Sequence, residues 1–512
     1  MRTLPRPVSR RAFLSACTRA SLAASVLPAI SHRALGLATT PAAGPNIAQD
    51  PLRPQYHLLP PHNWMNDPNG PIWWKGKFHL FYQMNPHAAV WGDMHWGHAV
   101  SPDMVHWSHQ PIALAPTPGG PDSDGCFSGS AVVYHGVPTV LYTGIRQAPP
   151  AQSTIREGKP TYRETQLLAT ALDDNLLHWR KQAAPVIAAP PPGMNVSGFR
   201  DPCPWQENDG WYLAVGSGQR GVGGAVLLYH SPDLRHWEYL HPLVEGRASG
   251  HAGPNPVATG EMWECPDFFP LGKHHCLLYS TSGAVFWTIG DYDRNTHRYT
   301  PRQQGVLDHG AYYAPKSFLA PDGRRILWGW IQETRTQAEY AAAGWAGAMS
   351  LPRVLDVDVH GNLTMTVAAE VGLLRQVQIQ QALNPGSKSI HFSSLRQEFE
   401  LRLAPQTSAA TVRLLAAGKP AWELHLDYAA HTARSGGRSM PLPALAADAP
   451  ALRLFLDASV IEAFLGSAQA LTSRCYTLQP GNTELEITLD AGGSGSLTQC
   501  ELTAISPDRL TT

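Results

Sequence analysis

The chain has 512 residues, which is enough for two or three domains with sizeable cores. Its formal net charge is −1, so nothing in its charge suggests a nucleic acid or another polyanion as a partner, and a neutral polar ligand fits better. Trp (16), Tyr (16) and Phe (13) are plentiful, which is compatible with aromatic platforms on which sugar rings stack.

The first residues have the pattern of an export signal. Arg10 and Arg11 stand ahead of a modest apolar stretch, Ala20 to Ile30, which is far shorter than the roughly 20 residues that a bilayer-spanning helix needs. An arginine pair before a short apolar region is typical of a bacterial twin-arginine signal. We therefore expect residues 1–45 to be an export signal and linker, the protein to be periplasmic or extracellular, and no stable membrane association.

The cysteines beyond this segment are scattered and have no close Cys-x-x-Cys spacing. An even number in an exported protein permits disulfides, but this distribution favours buried apolar thiols over a disulfide framework or a zinc site. These residues are Cys126, Cys203, Cys265, Cys276, Cys475 and Cys500.

Five stretches share one plan: a small or acidic start, an apolar strand, a polar turn with glycine, and a second apolar strand that ends in an aromatic residue. In the first stretch the predicted turn is at Lys75-Gly76. The stretches start at Asp67, Ser128, Asp201, Glu264 and Ala314.

A second signature, ending in His-Trp, falls between these hairpins where an outer strand would begin. Its three copies are Ser101–Trp107, Asp173–Trp179 and Ser231–Trp237. Together with the hairpins, these copies predict an all-β fold: a five-bladed β-propeller over residues 50–355, with four antiparallel strands in each blade.

The pattern changes after residue 355. Residues 356–384 are expected to form a linker with a short helix around Ala368–Gln376. Alternating strands with turn residues between them then predict a C-terminal β-sandwich over residues 385–508. Within the propeller, the polar stretch Gln147–Pro160 is expected to be an inserted surface loop.

Three of the five hairpins are preceded by a carboxylate: Asp67 before Pro68, Asp201 before Pro202, and Glu264 before Cys265-Pro266. Proline marks the start of each innermost strand, and these strands ring the propeller axis, so we expect the carboxylates to converge at one end of it. Grouped carboxylates repel, which should raise the pKa of at least one of them. Glycoside hydrolysis requires such a set, with one ionised nucleophile and one protonated acid. The alternative is that each acid only caps a turn.

These residues belong to motifs that together resemble glycoside hydrolase family 32, the invertase, levanase and inulinase family of β-fructofuranosidases. The resemblance covers residues 55–505. Its propeller motifs are Trp64–Gly70, Phe81–Gln83, Trp91–His98, Phe127–Ser130, Arg200–Pro202 and Trp263–Asp267, and its sandwich motifs are Leu452–Asp457, Val460–Phe464 and Leu471–Arg474.

The resemblance implies that Asp67 is the nucleophile, Glu264 the general acid/base, and Asp201 the residue that holds fructose hydroxyls and stabilises the transition state. It implies a fructoside substrate, small or polymeric, with no cofactor and no metal, and leaves the oligomeric state open. Other residues would bind substrate, the polar ones through hydrogen bonds and the aromatic ones as apolar walls: Trp64, Asn66, Gln83, Trp91, Phe127, Ser128 and Arg200.

Several neighbouring residues have a structural and a functional interpretation. Trp328 and Trp330 are further candidate wall residues. His95 and His98 are expected to form structural hydrogen bonds rather than bind a metal, and Cys265 is expected to be packed rather than reactive. Asp308-His309-Gly310-Ala311 differs from the Asp-Tyr-Gly of plant invertases, and it is expected to lie near the leaving group, which leaves fructan hydrolysis open beside sucrose.

Three other functions remain open at this point. A fructosyltransferase would use the same residues and differ only in its products at high sucrose concentration. A non-catalytic fructan-binding propeller would be expected to lack one of the carboxylates, whereas all three are present. A five-bladed arabinan-cleaving enzyme rests on fold analogy alone.

Overall fold

A computed structural model describes residues 47–248, 255–446 and 449–505, and the predicted export signal lies outside these ranges. Almost all regular structure in the described ranges is β-strand. None of the helices there is long and apolar enough to cross a bilayer. The α-helices are Pro256–Thr259 and Gln337–Ala343, and the 3-10 helices are Ile47–Gln49, Pro150–Gln152 and Ala369–Leu374.

The N-terminal part forms five sheets, blades I to V, whose strands run from the innermost to the outermost in chain order. Blade I has β1 (Asn63–Trp74), β2 (Lys77–Asn85), β3 (His95–Ser101) and β4 (Ser108–Leu114). Blade II has β5 (Gly125–Tyr134), β6 (Val137–Gln147), β7 (Tyr162–Ala171) and β8 (Trp179–Lys181). Blade III has β9 (Val196–Glu207), β10 (Gly210–Gln219), β11 (Gly223–Ser231) and β12 (Glu238–Glu245).

Blades IV and V complete the predicted propeller. Blade IV has β13 (Glu264–Leu271), β14 (His274–Thr281), β15 (Ala284–Asp293) and β16 (Arg298–Asp308). Blade V has β17 (Tyr312–Leu319), β18 (Arg325–Ile331), the short segment β20 (Ala348–Met349), β21 (Arg353–Val357) and β22 (Leu363–Val367). The short segment β19 (Trp345–Ala346) follows β18 in the chain but joins the sheet of blade I. The five-bladed architecture is confirmed.

The innermost strands close a ring around the propeller axis. β1, β5, β9, β13 and β17 contact one another in that order, and β17 also contacts β1. Two short segments fasten this closure: β19 pairs in parallel with β1 through Asn63 and Trp345, and β20 pairs with β18. Backbone hydrogen bonds as well as packing therefore join the first blade to the last.

The His-Trp signatures form the turns before the outermost strands of blades I, II and III. In blade I, Asp103 Oδ1 accepts the backbone N–H of His106 at 2.8 Å, and Asp103 Oδ2 lies 2.7 Å from His106 Nδ1. The indole Nε1 of Trp107 donates to the carbonyl oxygen of Met104 at 2.9 Å, and Met104 has a φ of 67°. The signature is thus a turn held by an aspartate and a tryptophan.

The C-terminal part is the predicted β-sandwich of two six-stranded sheets. One sheet has the order β23-β34-β25-β30-β31-β32 and the other β24-β33-β26-β27-β28-β29. The strands are β23 (Arg375–Leu383), β24 (Gly386–Phe392), β25 (Arg396–Leu403), β26 (Ala409–Ala416), β27 (Lys419–Asp427), β28 (Thr432–Ser435), β29 (Arg438–Pro441), β30 (Leu452–Asp457), β31 (Val460–Leu465), β32 (Gln469–Arg474), β33 (Thr483–Leu489) and β34 (Gly495–Leu502).

The two parts meet closer together in the chain than the predicted boundaries of 355 and 385. Blade V continues to Val367, and the sandwich begins at Arg375. The predicted linker of 356–384 is therefore reduced to the short turn Ala369–Leu374. Its strands escaped detection because β22 is short and because β23 is an edge strand with a mostly exposed, glutamine-rich sequence.

A buried ionic network joins the propeller to the sandwich. Arg353 NH1 lies 2.9 Å from Asp308 Oδ2, and Arg353 NH2 lies 2.5 Å from Glu462 Oε2. His57 Nε2 lies 2.9 Å from Glu462 Oε1, and His57 Nδ1 lies 2.8 Å from Asp457 Oδ2. Since all these side chains are withdrawn from solvent, the network is part of the interface core.

The segment Asp308-His309 also takes part in this interface. Asp308 is buried against Arg353 and accepts the hydroxyl of Thr472 at 2.6 Å, while His309 Nε2 lies 2.7 Å from Gln469 Oε1. Both residues therefore contact the sandwich, and their expected position near the leaving group stays a prediction.

Candidate active site

Every innermost strand carries a β-bulge, where the register with its neighbour shifts. The shifts lie between Met65 and Pro68, Cys126 and Gly129, Arg200 and Cys203, Glu264 and Asp267, and Tyr313 and Lys316. A bulge bends the strand and re-aims side chains, and bulges are common next to active sites. The five bulges therefore bring the candidate residues to the same level of the ring.

The sequence pattern had suggested that the three carboxylates share one register position, but in the structure they do not. In blades III, IV and V the bulge contains a dipeptide with proline second: Asp201-Pro202, Cys265-Pro266 and Ala314-Pro315. The first residue of each dipeptide has a positive φ, between 50° and 66°. Glu264 precedes the bulge by one residue and is equivalent to Arg200 and Tyr313, whereas Cys265 is equivalent to Asp201.

Asp67 is buried in a set of hydrogen bonds from blades I and II. Ser128 Oγ donates to Asp67 Oδ2 at 2.6 Å, and Asn66 Nδ2 donates to Asp67 Oδ1 at 3.0 Å. Trp64 Nε1 donates to Asn66 Oδ1 at 2.8 Å, and Asn66 Nδ2 also donates to Gln83 Oε1 at 3.0 Å. The side-chain amide of Asn66 is therefore oriented by Trp64 and Gln83. Together with Ser128, this amide holds the carboxylate of Asp67.

Asp201 is buried between Asp67 and Glu264. Its Oδ2 accepts the backbone N–H of Cys265 at 2.8 Å, and its own N–H donates to Thr143 Oγ1 at 2.9 Å. Burial raises the pKa of Asp201 to about 6; the charge of Arg200 opposes this rise, and the charges of Glu264 and Asp67 add to it. One of the three carboxylates thus has a raised pKa, although burial contributes more to it than repulsion between the carboxylates.

Glu264 is buried and accepts two hydrogen bonds. Arg200 Nε donates to Glu264 Oε1 at 3.1 Å, and the hydroxyl of Tyr313 donates to Glu264 Oε2 at 2.9 Å. Arg200 also donates from NH1 to Glu164 Oε1 at 2.5 Å, and Glu164 Oε2 accepts the N–H of Phe199 at 2.8 Å. Two buried glutamates therefore share one guanidinium.

Cys265 connects the two aspartates. Its Sγ lies 3.6 Å from Asp67 Oδ2 and 3.4 Å from Asp201 Oδ2. Burial, followed by the charges of Asp201, Asp67 and Glu264, raises the pKa of Cys265 well above that of a free thiol. Cys265 is consequently a protonated packing residue, as expected.

A cavity of about 220 Å³ opens beside Glu264. Trp91, Phe127 and Arg200 line it together with Glu264, and the rings of Trp91 and Phe127 lie 5.9 Å apart. Of the predicted substrate-binding residues, these three therefore face the cavity. Trp64, Asn66, Gln83 and Ser128 are not in its wall and surround Asp67 instead.

The loop between β6 and β7, predicted as an inserted surface loop, forms part of the cavity wall. Ile155 and Glu157 line the cavity. The carboxylate of Glu157 pairs with Arg220 in the β10–β11 turn, and Arg220 NH2 donates to the carbonyl oxygen of Thr154 at 3.2 Å. Blade III therefore fixes this loop over the site.

The remaining candidates divide clearly. Trp330 packs against Trp64 with a ring-centroid distance of 5.8 Å, whereas Trp328 stacks on Phe318 in the core of the blade. His98 Nε2 lies 3.0 Å from His79 Nδ1, and His95 Nδ1 lies 2.7 Å from the carbonyl oxygen of Asp93. Both His95 and His98 therefore form hydrogen bonds within the protein.

The described residues contain no group of three or more His, Cys, Asp or Glu side chains arranged to hold a metal ion. The described cysteines are all buried free thiols.

Sequence reasoning missed Glu164 and Tyr313, which are both in direct contact with the candidate residues. Glu164 lies in β7, and no proline or motif marks its position in the sequence. Tyr313 could have been found, because Tyr313-Ala314-Pro315 matches Arg200-Asp201-Pro202 when the hairpins are aligned on proline.

Two family models match the chain. The model described as "Glycosyl hydrolases family 32 N-terminal domain" matches residues 57–366, and that described as "Glycosyl hydrolases family 32 C terminal" matches residues 375–504. The chain is 37% identical over 466 residues to the sucrose-6-phosphate hydrolase of Escherichia coli, covering 85% of this chain and 91% of that protein.

Solved structures give the same result. A mutant of the Bombyx mori GH32 beta-fructofuranosidase BmSUC1 in complex with sucrose is 30% identical, with a TM-score of 0.75, and the match covers 89% of this chain and 94% of that one. A fructan 1-exohydrolase IIa variant from Cichorium intybus in complex with 1-kestose is 27% identical, with a TM-score of 0.73 and coverages of 89% and 98%.

Proposed function

The chain belongs to glycoside hydrolase family 32 and is a β-fructofuranosidase-type glycoside hydrolase, and from this premise we propose that it releases β-D-fructofuranosyl units from sucrose, fructans such as levan and inulin, or both. The reaction proceeds with retention through a covalent fructosyl-enzyme. The observation that carries this proposal is a contact made by Cys265, the residue that follows Glu264 in the chain. Its sulfur contacts the carboxylates of both Asp67 and Asp201.

Asp67 is the nucleophile in this proposal. Ser128 and Asn66 donate hydrogen bonds to its two oxygens and so fix the orientation of the carboxylate. The carboxylate attacks the anomeric carbon of the fructosyl unit, and the bond to the leaving-group oxygen breaks as the covalent ester forms.

Glu264 is the general acid and base. Its protonated carboxyl gives its proton to the leaving-group oxygen in the first step, and the resulting carboxylate takes a proton from water in the second. That water attacks the anomeric carbon, which releases fructose and restores Asp67. Tyr313 and Arg200 fix the orientation of the Glu264 carboxyl group.

Asp201 holds the fructosyl unit. Its backbone is fixed by Thr143 and its Oδ2 by the N–H of Cys265, so its carboxylate is positioned before substrate binds. Hydrogen bonds from sugar hydroxyls to this carboxylate strengthen as positive charge develops on the fructosyl ring, which stabilises the transition state.

The substrate range of the proposal follows from the relatives. One related structure contains sucrose and another contains 1-kestose. Both carry a terminal fructosyl unit, which is the part of the substrate that Asp67 and Asp201 would contact.

Export is a further part of the proposal. The Arg10-Arg11 pair and the short apolar stretch after it support a twin-arginine signal, and a related protein from Zea mays is named as a cell wall isozyme. Cell fractionation of the native producer, or export of a reporter fused to residues 1–45, is the measurement that checks it.

The catalytic assignment is tested with Asp67→Asn and Glu264→Gln. We expect each substitution to lower kcat on sucrose by a factor of about 10³ or more, because each removes a group that forms or breaks a bond. Circular dichroism should show an unchanged fold. The matched controls are Asp174→Asn and Glu238→Gln, which change exposed acids at the outer edges of blades II and III.

Two outcomes would contradict the proposal. No fructose from sucrose, inulin or levan would exclude the function, and near-normal kcat in either variant would exclude the residue's role. Retention is checked separately by NMR, in which the first-formed fructose should be the β-furanose anomer.

A further inference from the structure

The cavity beside Glu264 lies on the side of the leaving group. Glu264, which protonates the leaving-group oxygen in the proposed function, lines the cavity, whereas Asp67 and Asp201 do not. The sugar that departs from the fructosyl unit must therefore occupy this cavity, and the charges of its wall decide which leaving groups fit.

Three carboxylates from separate segments line that wall. Asp93 comes from the β2–β3 loop, Asp124 from the turn before β5, and Glu157 from the loop between β6 and β7. Glu157 is neutralised by Arg220, and Asp93 has His87 Nε2 at 3.1 Å as its partner.

Asp124 has no cationic partner in the described part of the chain. Its Oδ2 accepts Ser123 Oγ at 3.1 Å and the N–H of Gln147 at 3.0 Å, and no Lys, Arg or His nitrogen lies within 4.0 Å of it. Its negative charge is therefore left for the cavity and for whatever enters it.

Among the described residues of the cavity wall, no lysine or arginine is free to bind an anion. Arg200, the one lysine or arginine among the described lining residues, is shared by Glu164 and Glu264. Arg156, on the loop that carries Glu157, binds Asn195 Oδ1 at 2.8 Å instead.

Two backbone N–H groups at the cavity edge are also occupied. Those of Val257 and Ala258 donate to the side-chain oxygen of Asn255 at 3.1 and 3.4 Å.

We propose that this site accepts an uncharged sugar as its leaving group and disfavours a phosphorylated one, with Asp124 as the residue that sets this preference. The proposal rests on the proposed function. A phosphate carries nearly two negative charges at neutral pH and is normally bound by arginine, lysine or free backbone N–H groups. Here it would meet the uncompensated carboxylate of Asp124, and such repulsion is a means of specificity in its own right.

This preference would distinguish the chain from a relative of similar architecture. The Escherichia coli relative is named a sucrose-6-phosphate hydrolase, but the wall described here offers a phosphate no cation. The substrate class is therefore neutral sucrose or a neutral fructan.

The test compares kcat/KM for sucrose with that for sucrose phosphorylated on C6 of its glucosyl unit. We expect sucrose to be favoured at least tenfold at low ionic strength. The ratio should fall in 0.5 M NaCl, because salt screens the repulsion. It should also fall severalfold in Asp124→Asn, but not in the matched surface variant Asp174→Asn.

Each outcome has one meaning. A ratio below ten, or a preference for the phosphorylated sugar, would overturn the inference while leaving the proposed function intact. A high ratio that neither salt nor Asp124→Asn changes would overturn the electrostatic cause and the role of Asp124. Failure to release fructose from both substrates would instead count against the proposed function.

Discussion

Arg200 serves two acids at once, which makes it the electrostatic link between the centre of the site and blade II. Its Nε binds Glu264 and its NH1 binds Glu164, and both glutamates are buried. In a low-dielectric environment these charges act strongly on one another. Glu164 therefore weakens the effect of the positive charge of Arg200 on Glu264. It acts as a positioning residue although it does not itself line the cavity.

The first prediction concerns this link. In Glu164→Gln the charge of Arg200 acts on Glu264 alone, and a nearby cation favours the ionised form of an acid. Because the proposed mechanism needs protonated Glu264, the alkaline limb of the kcat/KM profile should move to lower pH by about one unit. The measurement is a profile with sucrose from pH 4 to 9, with Glu238→Gln as control.

A loss of activity of equal size at every pH would show that Glu164 only supports the fold. Glu164→Asp, which keeps the charge, should retain the alkaline limb of the unmodified enzyme.

A second prediction concerns the stability that the folded protein loses when Asp201 ionises. Its pKa is 3.8 as a free side chain and about 6 in the folded protein, so the folded state binds the proton more tightly and loses stability as pH rises from 3.8 through 6. The loss amounts to about 3 kcal/mol. Asp201→Asn has no carboxyl group to ionise at this position, so it does not show this loss.

The variant should therefore gain about 3 kcal/mol of unfolding free energy relative to the unmodified protein between pH 4 and 7, while it loses activity. Urea denaturation at the two pH values is the measurement. An equal difference at both values would contradict the prediction.

At this scale the sequence singled out Asp67, Asp201 and Glu264 because each stands beside a proline or a Cys-Pro that was expected to begin an innermost strand. That expectation was wrong in detail, because the prolines lie inside β1, β9 and β13, at the bulges. Glu164 could not be found in this way, because its partner Arg200 belongs to another blade and the contact exists only once the ring has closed. Local patterns report strand position and burial, whereas a shared guanidinium is a long-range property.

At the scale of the element, the repeated turn before the outer strand offers an internal control. In blade II, Asp173 and Asp174 are adjacent, but only Asp173 holds the turn: its oxygens accept the N–H groups of Asn175 at 2.9 Å and His178 at 2.9 Å. Asp174 is exposed and forms a surface pair with Lys75 at 3.3 Å.

The third prediction follows from this contrast. Asp173→Ala should lower the unfolding free energy by about 1–2 kcal/mol, since several backbone donors lose their acceptor. Asp174→Ala should stay within about 0.5 kcal/mol, as is usual for exposed ion pairs. Denaturation curves of both variants check this, and equal losses would refute a capping role.

Strand patterns predicted the five hairpins and the turn at Lys75-Gly76, because alternation and turn residues are local signals. They could not predict that the loop after Gln147 folds over the site, since its position depends on the ion pair between Glu157 and Arg220 in a different blade. Very short strands such as β8, β19 and β20 also escape any periodicity.

At the scale of the whole molecule, the buried network between the propeller and the sandwich depends on a protonated histidine. Burial disfavours the imidazolium of His57, but hydrogen bonds to Asp457 and Glu462 outweigh burial and raise its pKa to about 9. A raised pKa contributes stability that is fully present below pH 6.5 and is lost as pH rises through 9.

The fourth prediction is an alkaline loss of stability at this interface. Between pH 6.5 and 9 the unmodified protein should lose about 3 kcal/mol more unfolding free energy than His57→Gln, which has no such proton to release. Chemical denaturation at both pH values measures the difference. Parallel pH dependence of the two proteins would show that the charge of His57 does not couple the domains.

The pairing of β19 with β1 also bears on how the molecule is made. Trp345 and Ala346 are the residues that hold Asn63 and Trp64 in place, so a ribosome must translate more than two thirds of the message before the earliest strand acquires its last neighbour. Blades can form one after another during synthesis, but the backbone pairing between the last blade's end and β1 forms only after this late segment has left the exit tunnel. A chain truncated ahead of it could close the ring only through the packing of β17 against β1, without these hydrogen bonds.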